Sequence, residues 1–232
     1  MTLLEAAKIR ISRRAYIPKF IDADKKAALQ KIIDGICERS GLNIKLMENG
    51  EECFSLFKSY GMFSGVKSYF ALAGKANDPL MHEKVGYYGE ELVLEATRLG
   101  LGTCWVAGSY DKASTAFELG EGEALSCVIS VGEIKETENF KEKFIAGIIK
   151  TKRKTAAEMS KNYDCAPDWF KNGMECVTNA PSAKNVQPIV FEYTTDGVLT
   201  KNTGTWTSNR IDHGIAQYHF ELGSGRKITD YD

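Results

Sequence analysis

The chain has 232 residues, of which 43% are hydrophobic and 26% are charged, an ordinary composition for a globular protein. Its 30 Lys and Arg residues against 31 Asp and Glu residues give a net charge of -1, which excludes the basic excess of a nucleic-acid-binding protein. No segment approaches the ~20 apolar residues of a membrane-spanning helix. The N-terminus has no signal-peptide apolar core. We therefore expect a soluble, cytoplasmic protein that binds neither nucleic acid nor membrane.

The cysteine and histidine positions give no metal-binding pattern. No C-x-x-C motif occurs, and the spacings match no zinc site, so most thiols are expected to be free and buried. The six cysteines are Cys37, Cys53, Cys104, Cys127, Cys165 and Cys176, and the three histidines are His82, His213 and His219. We expect no metal site, and packing or surface roles for His213 and His219.

Hydrophobic periodicity predicts helices and strands joined by short polar connections. The predicted helices are 4–14, 22–37, 51–60, 82–99, 112–119, 168–177 and 211–225, and the predicted strands or extended segments are 44–47, 66–74, 124–132 and 186–193. Residues 82–99 form the clearest helix, because its apolar side chains make one wide stripe and Gly100 can take the left-handed cap. The pattern at 66–74 predicts a central strand, and that at 124–132 a buried one. Residues 156–163 fit a helix or a loop, and residues 194–209 a hairpin or an irregular lobe.

Two short echoes indicate an internal duplication. Ser40 and Asn43 repeat the spacing of Ser182 and Asn185, each pair between a helix and a strand. Leu99-Gly-Leu-Gly102 is echoed by Leu222-Gly-Ser-Gly225, each at the end of a long helix.

Three polar segments are candidates for binding. Paired arginines, Arg13 and Arg14, follow the first helix and can hold a phosphate bidentately, although a solvated basic turn is the alternative. The basic cluster 150–154 is either a solvated linker or a second phosphate contact. The loop 180–188 follows a helix that Pro181 ends, and loops held between rigid elements are common binding sites.

These segments together resemble the FMN-dependent nitroreductases. The run Ala180-Pro-Ser-Ala-Lys-Asn-Val-Gln-Pro188 resembles the loop that in those proteins lies against the flavin ring and comes from the partner subunit. Residues 86–105 are similar to the family's long central helix and the loop beyond it. Arg13 and Arg14 match the start of an Arg-Arg-Ser-x-Arg segment that binds the FMN phosphate, whereas Ala15 and Ile17 depart from it.

The resemblance implies a set of cofactor contacts and no catalytic side chain. Backbone N–H groups of Ala107 and Gly108 are expected to face the flavin, one of them at N5. Lys152 and Arg153 are expected to complete the phosphate site, and Ser182 and Asn185 to bond the ring or the ribityl chain. The full set is Arg13, Arg14, Ala15, Lys67, Val106, Ala107, Gly108, Lys152, Arg153, Pro181, Ser182, Ala183, Asn185 and Gln187.

The resemblance also implies the architecture. It predicts an α+β fold of the nitroreductase type, an α/β/α sandwich with a mostly antiparallel central sheet. Residues 1–155 would form a first nitroreductase-like half and residues 156–232 a shorter second half. The expected result is a fused pseudo-dimer with one FMN site between its halves, as a monomer or a weak homodimer.

The implied function is an FMN-dependent oxidoreductase. It would take hydride from NADH or NADPH and reduce a nitroaromatic, a quinone or a similar electron-poor acceptor by a ping-pong mechanism. The alternative is a flavin-binding or degenerate nitroreductase-like protein without turnover. The departures at Ala15 and Ile17 favour that alternative, and the residues do not separate NADH from NADPH.

Overall fold

A computed structural model describes residues 1–106, 108–135 and 153–228, and the chain divides into two compact units. The four-stranded unit comprises Arg10–Met81 and Leu92–Ile148, and the three-stranded unit comprises Met1–Ile9, His82–Glu91 and Ile149–Asp232, in both cases over the described residues. A division by compactness does not test an internal repeat. The predicted halves 1–155 and 156–232 therefore stay a prediction.

The four-stranded unit is built on an antiparallel sheet. Its strands are β1 (Asn43–Met47), β2 (Ser68–Lys75), β3 (Leu101–Val106) and β4 (Glu123–Glu133), in the spatial order β1-β2-β4-β3. Its helices are α2 (Ala23–Ser40), the short α3 (Gly50–Cys53) and the second part of α4 (Met81–Arg98). Residues 68–74 of β2 are all buried, which fits an interior strand covered on both faces. The predictions of a central strand at 66–74 and a buried strand at 124–132 are confirmed.

The three-stranded unit is a small sheet with packed helices. Its elements are α1 (Leu3–Ile9), the first part of α4, β5 (Ser160–Lys161), α5 (Asp168–Val177), β6 (Ile189–Thr194), β7 (Gly197–Asn202) and α6 (Thr207–Ser224). Strand β5 pairs parallel to β6, and β6 pairs antiparallel to β7. Phe170, Phe191 and Phe220 form the aromatic centre of its core, with the rings of Phe191 and Phe220 stacked 5.0 Å apart.

Helices α4 and α6 approach each other closely in this unit. A Cβ added to Gly86 would lie 2.0 Å from the carbonyl oxygen of Ile211, and one added to Gly214 would lie 1.9 Å from that of Glu83. Only glycine allows two helix backbones to come this near. The crossing of α4 and α6 therefore depends on both glycines.

The α+β class, the mostly antiparallel pairing and the longer helices are confirmed. Helix α5 matches the predicted 168–177 at both ends. Helices α2, α4 and α6 match the predicted 22–37, 82–99 and 211–225, with ends that differ by one to four residues. Gly41, Gly100 and Gly225 take positive φ values of 69°, 77° and 67° just after their helices, as expected for left-handed caps. Cys53, Cys104, Cys127 and Cys176 are buried free thiols, as predicted.

Three helix predictions are too long. Helix α1 ends at Ile9 and not at residue 14, because the chain from Ser12 onward pairs with other segments of the fold. At 51–60 only α3 forms, since Leu56 and Phe57 are exposed and no apolar face is buried there. At 112–119 a single 3₁₀ turn forms over Lys112–Ser114, and Ala116 takes a positive φ of 49° that ends any helix.

Neither a membrane-spanning helix nor a metal-binding cluster occurs among the described residues. None of the helices in this part of the chain is long and apolar enough to cross a membrane. Within the same residues, no group of three or more His, Cys, Asp or Glu side chains is placed to hold a metal ion.

Candidate functional site

The arginine segment of the four-stranded unit runs extended along neighbouring parts of the fold. The Arg13 N–H donates to the Thr103 carbonyl at 2.8 Å, and the Ser64 N–H donates to the Arg14 carbonyl at 3.0 Å. The hydroxyl of Tyr16, a buried residue, donates to the Arg13 carbonyl at 2.7 Å. Backbone bonds therefore fix the path of this segment independently of most of its side chains.

The two arginines differ in their surroundings. Arg13 is only 6% exposed, and its Nη2 donates to the Lys135 carbonyl at 3.1 Å. The stem of Arg13 lies against Gly102, where an added Cβ would come within 2.9 Å of the Arg13 Cγ. Arg14 is partly exposed. Arg13 thus has a structural role in addition to any role in binding, whereas Arg14 is the more accessible cation.

Lys67, Val106 and Gly108 are the other predicted cofactor contacts in this unit that the structure describes. Lys67 makes an ion pair with Glu51 at 2.7 Å, and its Nζ lies 5.6 Å from the centre of the Phe20 ring. Val106 is buried at the end of β3, and Gly108 is exposed, with no atom within 4 Å of an added Cβ. Ala107 lies outside the described residues. Gly108 is therefore not required by packing in the described part of the chain.

The loop Pro181–Gln187 of the three-stranded unit has an unusual backbone. Lys184, Asn185 and Gln187 all take positive φ values, of 53°, 56° and 49°. Such conformations are uncommon outside glycine and concentrate at functional sites. The Ser182 Oγ accepts the Gln187 N–H at 2.9 Å, so the loop is closed on itself.

Lys154 anchors the C-terminal end of this loop. Its backbone N–H donates to the Gln187 Oε1 at 2.9 Å, and its Nζ donates to the Gln187 carbonyl at 2.8 Å. Gln187 is buried, so its side chain connects the loop to the interior of the unit. Arg153, one residue earlier, is exposed and donates to the Thr178 carbonyl at 2.8 Å. Lys152 lies outside the described residues, and among the described residues of the basic cluster Lys154 contacts the loop.

A carboxylate that is not among the residues predicted from the sequence anchors the other end of the loop. Asp212 in α6 accepts the Ala183 N–H at 2.9 Å through Oδ1 and the Asn209 amide at 3.2 Å through Oδ2. Burial raises the pKa of Asp212 to about 6, although both hydrogen bonds oppose the shift. The available signal was an Asn and an Asp three residues apart in the first turns of a helix.

A second polar cluster in this unit contains a thiol, an imidazole and a carboxylate in sequence, as nucleophilic sites do, but it is buried. The Cys176 Sγ lies 3.7 Å from the His219 Nδ1, and the His219 Nε2 lies 2.9 Å from the Glu90 Oε1. All three residues are buried, and burial raises the pKa of the Cys176 thiol to about 12. A protonated, inaccessible thiol is no nucleophile, so the cluster belongs to the core.

Comparison with known proteins identifies the family. A family model with the description "Putative TM nitroreductase" matches residues 2–224, almost the whole chain. The chain belongs to this family. The predicted relationship to nitroreductases is thereby confirmed, whereas the two fused half-repeats stay a prediction.

Similarity to solved structures identifies the fold. A putative nitroreductase from Thermotoga maritima is similar with a TM-score of 0.64 and 23% identity, over 96% of this chain and 83% of that chain. At this identity the likeness shows the fold alone, and it confirms the predicted nitroreductase-like fold. A search of curated proteins finds no match.

Two further structures are less similar. A nitroreductase with bound FMN from Bacteroides fragilis is 17% identical over 60% of this chain and 92% of that chain, with a TM-score of 0.48. A putative NADH oxidase from Clostridium acetobutylicum is 20% identical over 58% of this chain and 89% of that chain, with a TM-score of 0.45.

Proposed function

We propose that the protein is an FMN-dependent oxidoreductase that oxidises NADH or NADPH and reduces a nitroaromatic, a quinone or a similar electron-poor acceptor. The observation that carries the proposal is the Pro181–Gln187 loop. In a chain of the nitroreductase family, the segment that resembles the flavin loop is also the segment with three left-handed non-glycine residues. Local strain of this kind is retained where a binding conformation requires it. A cytoplasmic location is part of the proposal.

The donor set suits a flavin mononucleotide. Arg14 is a partly exposed arginine, a residue type that binds phosphate well, and the exposed Gly108 leaves its backbone open to a ring. Ser182 and Asn185 are partly exposed polar residues on a loop whose path is fixed. These groups match the phosphate, ring and ribityl chain of FMN in chemistry.

In the proposed function, the residues of this chain bind and orient. FMN, when bound, supplies the redox chemistry, because its ring accepts a hydride from a nicotinamide and passes electrons to an acceptor. Arg14 and the exposed Arg153 would neutralise the phosphate charge, and Asn185 would fix the orientation of the cofactor. We propose one FMN per chain, in a protein that is a monomer or a weak homodimer.

Arg14→Ala tests the phosphate contact. Loss of a hydrogen bond to a charged group costs about 1.5–3 kcal/mol, so the Kd for FMN should rise about tenfold to a hundredfold. The Kd is measured by quenching of flavin fluorescence. Arg39→Ala, which removes an exposed arginine of α2, is the matched control and should leave the Kd unchanged. Arg13→Ala should lower FMN binding and also the urea midpoint, because Arg13 is buried against Lys135.

The absorbance spectrum and one activity assay decide between the alternatives. Protein that is yellow and oxidises NADH or NADPH with a nitroaromatic acceptor is the proposed enzyme. Protein that is yellow but inert is a flavin binder without turnover, which the departures at Ala15 and Ile17 favour. Protein that stays colourless with added FMN contradicts the proposal. One flavin per two chains would contradict the one-chain stoichiometry.

A further inference from the structure

The Pro181–Gln187 loop needs contacts that compensate for its backbone. A left-handed backbone conformation is unfavourable for a non-glycine residue and persists only where the surrounding structure holds it. Asn185 tolerates this conformation better than Lys184 or Gln187, because its short side chain can bond locally. The strain at Lys184 therefore has to be balanced by bonds on both sides of it.

The two ends of the loop are held by different elements. At the C-terminal end, Gln187 is bound by Lys154 and by the Ser182 hydroxyl. At the N-terminal end, the Ala183 N–H donates to Asp212. Asp212 thus provides the side-chain anchor from α6, next to the strained Lys184.

Asp212 fits this position because it offers two acceptors. Its Oδ1 accepts from Ala183, and its Oδ2 accepts from the Asn209 Nδ2. The orientation of the Asn209 amide is itself fixed, since its Oδ1 accepts the Trp206 N–H at 3.0 Å. An amide at position 212 would therefore face a donor with a donor on one side, whichever way it turned.

Because Asp212 is buried, loss of its bond to the Ala183 N–H should be costly. Asp212 is 5% exposed and lines a small, mostly apolar cavity with Met159, Val177 and Ala216. In such surroundings an unmatched polar group is costly, because a buried group that loses its partner also lacks contact with solvent. Asp212 and the loop should therefore move together.

We propose that Asp212 is a positioning residue that holds the Pro181–Gln187 loop in its binding conformation through the Ala183 N–H. The link from loop to flavin rests on the proposed function, whereas the link from Asp212 to loop does not. Its role requires no contact between Asp212 and a cofactor or a substrate.

A swap of two side chains tests the proposal in flavin-free protein. Asp212→Asn creates the donor–donor contact, and Asn209→Asp places two carboxylates side by side. The double variant Asn209→Asp/Asp212→Asn restores every bond with the roles exchanged. The new carboxylate at 209 accepts from Trp206 and from the new amide at 212, whose oxygen accepts the Ala183 N–H.

Tryptic cleavage after Lys184, identified by mass spectrometry, measures opening of the loop. Because Lys184 is exposed, trypsin can reach its side chain in the folded protein. The rate of cleavage then depends on local opening of the loop backbone. Asp212→Asn should raise the rate of this cut about tenfold to a hundredfold, as expected for a lost bond to a charged group. The double variant should return it to within about twofold of the wild-type rate. Unchanged cleavage in Asp212→Asn, or no rescue by the swap, would overturn the proposal.

Two further measurements separate a local effect from general damage. The urea midpoint of each variant reports global stability, and hydrogen exchange of the peptide around Ala183 reports the loop alone. If Asp212→Asn unfolds outright, the folded double variant and its protected Ala183 amide support the proposal, and an unprotected amide overturns it.

FMN titration then links the loop to the cofactor. Asp212→Asn should weaken FMN binding about tenfold, and the swap should restore it. If the wild-type protein binds no FMN, the proposed function fails, and the cleavage rates still decide the positioning role. If the wild type binds FMN and Asp212→Asn binds it equally with a loosened loop, the link to flavin fails alone.

Discussion

The glycines at the crossing of α4 and α6 allow a quantitative prediction. Gly86→Ala would place a methyl group 2.0 Å from the Ile211 carbonyl oxygen, and ordinary contact begins at 3.4 Å. The backbones must therefore separate by the difference of 1.4 Å. Because the obstacle is backbone and not the end of a flexible side chain, no rotamer change relieves the overlap.

The expected cost follows from two opposing terms. Overpacking of a core typically costs 1–3 kcal/mol, and a rigid backbone obstacle belongs at or above the upper end of that range. Alanine in a helix interior gains about 1 kcal/mol over glycine. We expect Gly86→Ala to lower the free energy of unfolding by about 2–3 kcal/mol. Gly214→Ala should behave alike, since its Cβ would lie 1.9 Å from the Glu83 carbonyl oxygen.

Urea unfolding followed by circular dichroism measures this cost, with an unchanged m value as the sign of an effect on stability alone. Gly35→Ala in α2 is the matched control, because no atom lies within 4 Å of its added Cβ. It should stabilise by about 0.5–1 kcal/mol. The double variant Gly86→Ala/Gly214→Ala should cost less than the sum of the two, since one separation accommodates both methyl groups. Gly86→Ala as stable as wild type would refute the reasoning.

Two further predictions concern titration and thiol reactivity. Burial raises the pKa of Asp212 from 3.8 to about 6, because the ionised carboxylate is costly to bury and its two hydrogen bonds offset only part of that cost. The stability gained from the neutral carboxyl is therefore complete below pH ~3.8 and is lost as pH rises through about 6. The loss amounts to roughly 3 kcal/mol, and urea midpoints across this range should show a slope that Asp212→Asn removes; equal slopes in both proteins would contradict the assignment. Under native conditions a maleimide should label the exposed Cys165 and spare the buried Cys176, whose thiol pKa is raised to about 12. Peptide mapping after labelling measures the modification of each cysteine. Fast labelling of Cys176 would contradict its burial.

The helices and strands that could be predicted from the sequence are those whose hydrophobic pattern fits one type of structure. The apolar stripe of α4 and the uninterrupted apolar run of β2 each indicate one structure, and both are present. The segments 51–60 and 112–119 contain helix-forming residues but bury no continuous face. Propensity alone does not stabilise a helix of that length, so only α3 and a 3₁₀ turn formed.

The candidate site was predictable where a motif is contiguous. The loop at 180–188 stands out as a motif, but its anchor does not, because Asp212 is 29 residues beyond Ala183 in the chain. Sequence echoes were also a poor guide to conformation. Gly100 takes the left-handed cap of α4, whereas its counterpart Gly223 lies within α6 and Gly225 takes the cap.

The two candidate binding segments differ in what holds them, and this decides how substitutions should act. Ala15 and Ile17 depart from the family pattern, yet the segment is held there by backbone groups. The Tyr16 N–H donates to the Ser64 carbonyl at 2.9 Å, and the Ile17 N–H donates to the Glu133 carbonyl at 2.8 Å. These bonds do not depend on the side chains at 15 and 17. The departures should therefore change the affinity for FMN and leave the path of the segment intact, whereas the Pro181–Gln187 loop, held by the side chains of Asp212 and Gln187, should move when either is replaced.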